Sequence, residues 1–455
     1  MQASPTLLRL RSRRPRLAHA AREALASIGL NNLPVTLRFW DGSVLEGGDP
    51  VVEVRSPEAI AHLLHAPNQI GLARGWVTGA RDVGSDADLE AIIRQRGAFD
   101  GVALSARDRA TLLAAALRLA GPGILKRPPI PTIEARRQGG LHSLARDKAA
   151  IQHHYDVSNR FYELLLGPSM VYSCAYFASP DESLEAAQER KLDRICRKLR
   201  LEPGERLLDI GCGWGSLLIH AAREYGVQGV GVTLSEAQAR LARERVAAAG
   251  LSDRIEIRVQ DYRELADGPF DKIASVGMYE HVGRGELARY AAAVHELLTP
   301  GGLFLNHGIA RLHSAPPAAD TFIYRYVFPD GELSPVTDVM TAMEANGFEV
   351  RDVESLREHY PLTLRRWVTN LTAAWDDAVA EVGEQRARVW RLYMLGSALG
   401  FEEGDVTVHQ VLSARDGAPH GLPLQRVDAL KPESCERSAR GRTRARRPGE
   451  VPARA

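Results

Sequence analysis

Between residues 201 and 306, short apolar runs alternate with stretches whose apolar positions recur at helical spacing. The runs at 206–210, 228–233, 255–259, 272–276 and 303–306 predict strands, and 216–225 and 235–249 predict helices between the first of them. Such alternation predicts an α/β domain, a mostly parallel sheet with helices on both faces and ligands at the carboxyl ends of its strands. Ahead of it, 34–40 alternates like a strand, Asp41-Gly42 supplies a turn, and 51–54 offers a second strand. Helical stretches follow, ending in an Ala/Leu-rich run at 105–120, so a small α+β unit precedes the larger one. The proline-rich stretch 126–132 cannot continue a helix and reads as a linker. These boundaries give an N-terminal unit at 1–125, a linker at 126–148, an α/β domain at 149–413 and a basic tail at 414–455. Order becomes doubtful after Gly404, and the Arg, Pro, Ser and Gly content of the tail predicts disorder.

Composition narrows the class of protein. A chain of 455 residues, 45% hydrophobic and 25% charged, has room for two or three ordinary domains. Its net charge is only +1, but the ends are basic: Arg9, Arg11, Arg13, Arg14, Arg16 and Arg22 precede the first acid, and seven arginines face three glutamates after Lys431. Basic tails alone give only non-specific nucleic-acid binding, so no specific nucleic-acid partner is expected. The longest apolar stretch, 111–125, contains Arg118 and Gly-Pro-Gly and falls short of the roughly 20 residues needed to span a bilayer. Four cysteines without CxxC spacing indicate a reducing cytoplasm. The Arg-rich start lacks a secretory pattern and reads as a solvated face or a contact with anionic lipid.

The clearest chemical signal is Leu208-Asp209-Ile210-Gly211-Cys212-Gly213-Trp214-Gly215 at the end of the first strand of the α/β domain. Glycines there permit a tight turn and bring backbone N–H groups close to a ligand at a helix start, which implies a nucleoside-type cofactor. The dinucleotide spacing Gly-x-Gly-x-x-Gly is not matched. The pattern resembles motif I of the class I S-adenosylmethionine-dependent methyltransferases, so Asp209, Gly211 and Gly213 are expected at the cofactor. Many of those enzymes hold the ribose with an acid after the next strand. Here Thr233, Ser235 or Gln238 must serve instead. The third strand ends in Gln260-Asp261, where Asp261 is placed to accept from an adenine amino group.

Four further segments concern the substrate: Gln152-His-His-Tyr-Asp-Val-Ser-Asn159, Tyr172-Ser-Cys-Ala-Tyr-Phe177, Gly277-Met-Tyr-Glu-His-Val-Gly283 and Leu305-Asn-His-Gly-Ile-Ala310. In order and placement, and together with Phe322-Ile-Tyr-Arg-Tyr-Val-Phe-Pro-Asp330, His359-Tyr-Pro-Leu-Thr-Leu364 and Trp390-Arg-Leu-Tyr-Met394, they resemble the cyclopropane-fatty-acyl-phospholipid synthases and the related mycolic acid methyltransferases. The resemblance spans about 149–412, and the first 125 residues look, more weakly, like the lipid-handling unit of the longer synthases. It implies transfer of a methylene group from S-adenosylmethionine to the cis double bond of unsaturated phospholipid acyl chains. It also implies a bicarbonate base held by Cys174, Glu280, His307, Ile309 and Tyr360, with Cys174 and Ile309 contributing mainly backbone groups. Tyr155, Tyr172 and Ser173 match residues near the cofactor. Peripheral attachment to the inner face of the membrane and a homodimer, a frequent form in the family, complete what it implies.

Three departures from the family pattern bear on the product. The segment Leu305-Asn-His-Gly-Ile-Ala310 stands where Leu-Leu-His-Thr-Ile-Gly is commoner, Arg160 falls where an acid is frequent, and His409 replaces an aromatic residue. Ring closure is the leading expectation. Methyl or methylene branching of the same chains and a non-catalytic lipid-binding protein are the alternatives.

Overall fold

The computed structural model describes residues 17–95, 105–135, 157–312, 321–328 and 332–425. Tyr155, most of the linker and the Arg-rich runs before residue 17 and after Lys431 lie outside the described residues. The first unit contains α1 (Leu17–Ser27), β1 (Thr36–Phe39), β2 (Val44–Leu45), β3 (Val51–Val54), α2 (Pro57–His65), α3 (Gln69–Val77), β4 (Arg81–Val83), α4 (Asp86–Arg94) and α5 (Ala106–Ala120). Its four strands run in the order β2-β1-β3-β4. The expected turn at Asp41-Gly42 forms: Gly42 takes φ +78°, and the Asp41 carboxylate accepts from the Ser43 N–H at 2.9 Å. Ala18, Ala21, Phe39 and Leu45 make the small core beneath this sheet.

The larger unit starts with α6 (Asn159–Leu166) and α7 (Leu184–Leu199), then alternates β5 (Arg206–Ile210), α8 (Ser216–Tyr225), β6 (Gln228–Thr233), α9 (Glu236–Ala248), β7 (Ile255–Val259), β8 (Phe270–Val276), α10 (Leu287–Leu297) and β9 (Leu298–Arg311). It finishes with α11 (Phe322–Tyr326), α12 (Val336–Glu344), β10 (Phe348–Ser355), α13 (His359–Ala373), α14 (Trp375–Val382), α15 (Glu384–Glu403) and β11 (Val406–Arg415). The seven strands lie in the order β10-β11-β9-β8-β5-β6-β7, and β11 is antiparallel to both its neighbours. One face of the sheet is covered by α7, α8 and α9 through residues such as Ile195, Leu218 and Ala242, the other by α10 and α12 through Tyr290, Val294 and Met343. The chain runs outward from β5 through β6 to β7, then returns to β8 on the opposite side of β5. The crevice at that reversal is where ligands of open α/β sheets bind.

Two expectations are corrected. The chain past Gly404 is not loosely ordered: residues 406–415 form β11 between β9 and β10. Thr407, Gln410 and Ser413 are buried in it among Val408, Val411 and Leu412, and this mixture of polar and apolar residues concealed the strand. Nor does disorder begin at 414. Leu422 packs against the core, and the Ala418 and Pro419 carbonyls lie so close to Gly301 that a Cβ there would come within 2.6 Å of one of them. The linker is also anchored where it is described, because the buried Glu134 carboxylate accepts from Arg74 Nε and Nη2 at 2.9 and 2.7 Å and from the Tyr326 hydroxyl at 2.9 Å.

The two units meet at Arg388 on α15. Its guanidinium donates to Asp82 Oδ2 at 3.1 Å and to the Trp76 and Arg81 carbonyls at 2.6 and 2.9 Å, and it stacks 4.3 Å from the Trp76 ring. Trp76 Nε1 donates back to the Arg388 carbonyl at 2.9 Å. Arg388→Met leaves Asp82 its second partner, Arg55 at 2.7 Å, but removes the buried donor to the Trp76 and Arg81 carbonyls, so it should lower the unfolding free energy in urea by about 2 kcal/mol, and a loss below about 0.5 kcal/mol would contradict this role.

Candidate active site

At the end of β5 the chain turns through Gly211, Gly213 and Gly215, with φ of +83°, +52° and +78°. Side chains are strained in that region, which is why the turn is built of glycine. A Cβ at Gly213 would meet no atom within 4 Å, so the loop opens toward free space. That space is a cavity of about 1290 Å³, its open mouth included, and Tyr172, Ser173, Asp209, Gly211, Gly213, Thr233, Gln238, Gln260 and Asp261 all line it. Nine of the residues expected at the cofactor thus lie in one place.

Ser235 stands behind them as the cap of α9, its Oγ accepting from the Gln238 N–H at 3.2 Å. The Thr233 hydroxyl donates to Gln238 Oε1 at 2.8 Å and accepts from the Ser235 N–H at 3.2 Å. The Gln238 carboxamide is thereby fixed by its oxygen at the strand end where an acid was missing. Burial raises the Asp261 carboxyl, but the Arg263 guanidinium, bonded at 2.9 and 2.6 Å, outweighs it and keeps the group ionised.

A residue that the sequence reading missed joins this cavity to the second half of the site. Lys191 on α7 is 1% exposed, lines the cavity, and donates from Nζ to Ser173 Oγ at 2.8 Å. Burial lowers its ammonium to about 8, opposed by the neighbouring Cys174 and Asp209. Asp209 is pushed up to about 7 by burial, partly offset by Lys191, and its Oδ1 finds no partner among the described residues. The signal was in the periodicity: Leu184, Ala187, Leu192, Ile195, Cys196 and Leu199 form the buried stripe of α7, and three polar residues, Gln188, Lys191 and Lys198, interrupt it. Gln188 is structural, its Nε2 donating to the Ser173 carbonyl at 2.9 Å.

The second half gathers around β9. Glu280 follows β8 on a short turn, and its Oε1 accepts from the Ile309 N–H at 2.7 Å. Burial raises the Glu280 carboxyl to about 7 against that bond, and Oε2 has no partner among the described residues. His307 is held well below its usual range by burial and by the Lys191 charge, so the ring is neutral. With the Gln410 carboxamide donating to His307 Nδ1 at 3.2 Å, the ring proton sits on Nε2, a buried donor without a partner among the described residues. Burial raises the Cys174 thiol far above its ordinary value, which removes it as a nucleophile, and Sγ lies 3.3 Å from the Ala175 carbonyl. Tyr360 packs 4.5 Å from the Phe401 ring, and Cys174 and Tyr360 share one aromatic core that Ile309 packs against.

Neither backbone group of Ile309 stands open, since its N–H is held by Glu280 and its carbonyl accepts from the Tyr279 hydroxyl at 2.6 Å. Of the departing positions, Arg160 pairs with Glu163 at 3.2 Å on the surface, and His409 stands opposite Gly308 in the β9–β11 register.

Asp209 gives this geometry a measurable consequence. Without ligand its carboxyl titrates near 7 when folded and near 3.8 when unfolded, so the folded protein binds more protons in that window and loses stability as pH rises through it. Asp209→Asn should therefore raise the denaturation midpoint at about pH 8 relative to that at about pH 4, compared with wild type, and an unchanged relation between the two would contradict the burial of this carboxyl.

Comparison with known proteins gives this arrangement a family. The chain matches the model described as mycolic acid cyclopropane synthetase over residues 142–411. It is 41% identical over 410 residues to a probable fatty acid methyltransferase of Pseudomonas putida, covering 88% of this chain and 97% of that one. Over 294 residues it is 39% identical to the cyclopropane-fatty-acyl-phospholipid synthase of Escherichia coli K12, covering 65% of this chain and 75% of that one. The crystal structure of the mycolic acid cyclopropane synthase CmaA1 complexed with SAH and CTAB aligns at 35% identity with a TM-score of 0.56, covering 59% of this chain and 98% of that one. By its matched model, its relatives and its sheet, this chain belongs to the mycolic acid cyclopropane synthetase family of S-adenosylmethionine-dependent methyltransferases.

Proposed function

We propose that this protein transfers a methylene group from S-adenosylmethionine to the cis double bond of unsaturated phospholipid acyl chains and closes a cyclopropane ring. The observation that carries the reading is a pair of buried polar atoms without a partner among the described residues, His307 Nε2 and Glu280 Oε2, in residues matching the family's anion site. A neutral imidazole N–H and a carboxyl able to share a proton suit a small oxyanion such as bicarbonate. The names of the relatives, one a fatty acid methyltransferase and one a synthase acting on phospholipid acyl chains, support the substrate class.

The glycine turn, Ser173, Gln238 and Asp261 would hold the cofactor, while His307, Glu280 and Tyr360 would hold the anion. Bound there, S-adenosylmethionine supplies an electrophilic methyl group and bicarbonate a proton acceptor. The chain itself must align an alkene, a weak π donor, and protect the positive charge that develops on an acyl carbon. Aromatic faces do this without offering a nucleophile. Tyr172 lies 5.2 Å from Trp367 and 5.8 Å from Trp390, and Tyr393 shares a hydrogen bond with Tyr172 and feels the Glu280 charge. This aromatic wall links the cofactor cavity to the proposed anion site and excludes water that would quench the cation.

The second reading, branching instead of ring closure, is favoured by the greater coverage of the Pseudomonas relative and by the commitment of Ile309 N–H to Glu280. No helix among the described residues is long and apolar enough to cross a membrane. Peripheral docking to the inner face of the cytoplasmic membrane, aided by the N-terminal unit and the basic ends, belongs to the same proposal.

Expression in a host rich in monounsaturated phospholipids, followed by mass spectrometry before and after hydrogenation, tests the reading. The expected product has gained one CH2 and resists mild hydrogenation of alkenes; an exocyclic methylene would support branching, and unmodified chains with folded, cofactor-bound protein would contradict both. Glu280→Gln and His307→Ala should each slow turnover by about 10²-fold or more while cofactor affinity, measured by calorimetry, stays within about threefold of wild type. Equal loss of both would remove the anion role.

A further inference from the structure

Strand β9 outruns its parallel neighbour. Pairing with β8 ends at Val276 opposite His307, and the Gly277 N–H closes the ladder on the His307 carbonyl at 2.8 Å. The next residue on that edge is Ile309, whose N–H and C=O have no strand to pair with, while β11 occupies the other edge. Two consecutive side chains from the turn after β8 cap them: Glu280 Oε1 accepts from the N–H at 2.7 Å, and the Tyr279 hydroxyl donates to the carbonyl at 2.6 Å.

Tyr279 reaches this edge from the far side of the sheet. Its ring is packed in the core shared with Val282, Leu287 and Val339, on the face opposite His307. It lies flat over Gly308, where a Cβ would come 2.0 Å from Cε1 and 2.3 Å from Cδ1. Those contacts are impossible, so any side chain at 308 evicts the ring. Gly308 departs from the commoner threonine, and Tyr279 fills the space that departure leaves.

We propose that Tyr279, seated over Gly308, is a positioning residue that seats the catalytic anion through the Ile309 backbone. An anion at the Ile309 N–H would face the lone pairs of the carbonyl on the same strand edge. The Tyr279 hydroxyl covers those lone pairs and fixes the orientation of the N–H, leaving Glu280 Oε1 as the group that the anion displaces or shares. Tyr279 touches neither the anion nor the cofactor. The proposal rests on the bicarbonate reading above.

The test is binding of ¹³C-bicarbonate to the full-length protein with S-adenosylhomocysteine present, followed by ¹³C NMR without turnover. Tyr279→Phe keeps the ring over Gly308 and removes one hydrogen bond, so the bicarbonate Kd should rise about three- to tenfold with the S-adenosylhomocysteine Kd unchanged. Gly308→Ala should weaken bicarbonate binding at least as much by expelling the ring. An unchanged bicarbonate Kd in Tyr279→Phe overturns the proposal, as does wild-type protein that binds no bicarbonate. Failure of the functional reading alone looks different: bicarbonate binds and responds to Tyr279→Phe, but acyl chains are left unmodified.

Discussion

The buried ammonium of Lys191 is the interaction on which the two halves of the site depend. A lysine 1% exposed loses nearly all its hydration, and its acidity shifts accordingly, to about 8. What keeps a positive charge there is the Ser173 hydroxyl at 2.8 Å together with the field of Asp209. The same charge helps hold His307 neutral, which leaves the imidazole with a proton to donate. The cofactor cavity and the proposed anion pocket thus share one cation. Its position follows from α7, capped by Ser183 accepting from the Ala186 N–H at 3.3 Å, whose inner stripe carries Lys191 to the sheet.

The second constraint is that β9 continues beyond β8. A strand edge without a partner exposes backbone groups that must be satisfied, and here the turn from Gly277 to Glu280 satisfies them with side chains. Glu280, proposed above for the anion site, is thereby positioned by backbone hydrogen bonding of the sheet itself. Helix α15 adds a link to the N-terminal unit. Arg388 grips Trp76, and two residues later Trp390 stacks edge-on to Tyr162 at 5.6 Å and lies 5.8 Å from Tyr172. Helix α13 makes a second link, since Arg365 donates to Glu90 of the first unit at 2.8 Å and Trp367, two residues on, lies 5.2 Å from Tyr172, so displacement of the first unit would be felt by the aromatic wall through both helices.

Much of this was legible in the sequence because it depends on local periodicity. The strands at 206–210, 228–233 and 255–259 fall where the apolar runs place them, and the glycine turn lies at the end of the first. Asp209, Gly211, Gly213, Thr233, Gln260 and Asp261 converge because the strands of a parallel sheet end on one side, whereas Tyr172 and Ser173 reach the same cavity from the segment between α6 and α7 and Gln238 from the first turn of α9. Strand β11 was not legible, since Thr407, Gln410 and Ser413 are buried for reasons that only its neighbours reveal. Lys191 left a trace as a charge on an apolar stripe, but a stripe does not say what lies opposite. Gly308 showed only as a departure from the commoner threonine, with nothing to connect it to Tyr279: the 2.0 Å overlap that binds their identities exists only once β9 and the turn after β8 are side by side.

The account is tested most directly by measuring, on the same preparation, the affinity of Lys191→Met for S-adenosylhomocysteine and for ¹³C-bicarbonate. If one ammonium serves both halves, both affinities fall, bicarbonate by about tenfold or more, while Lys191→Arg retains part of each. Wild-type affinity for either ligand in a folded Lys191→Met protein would contradict the shared cation.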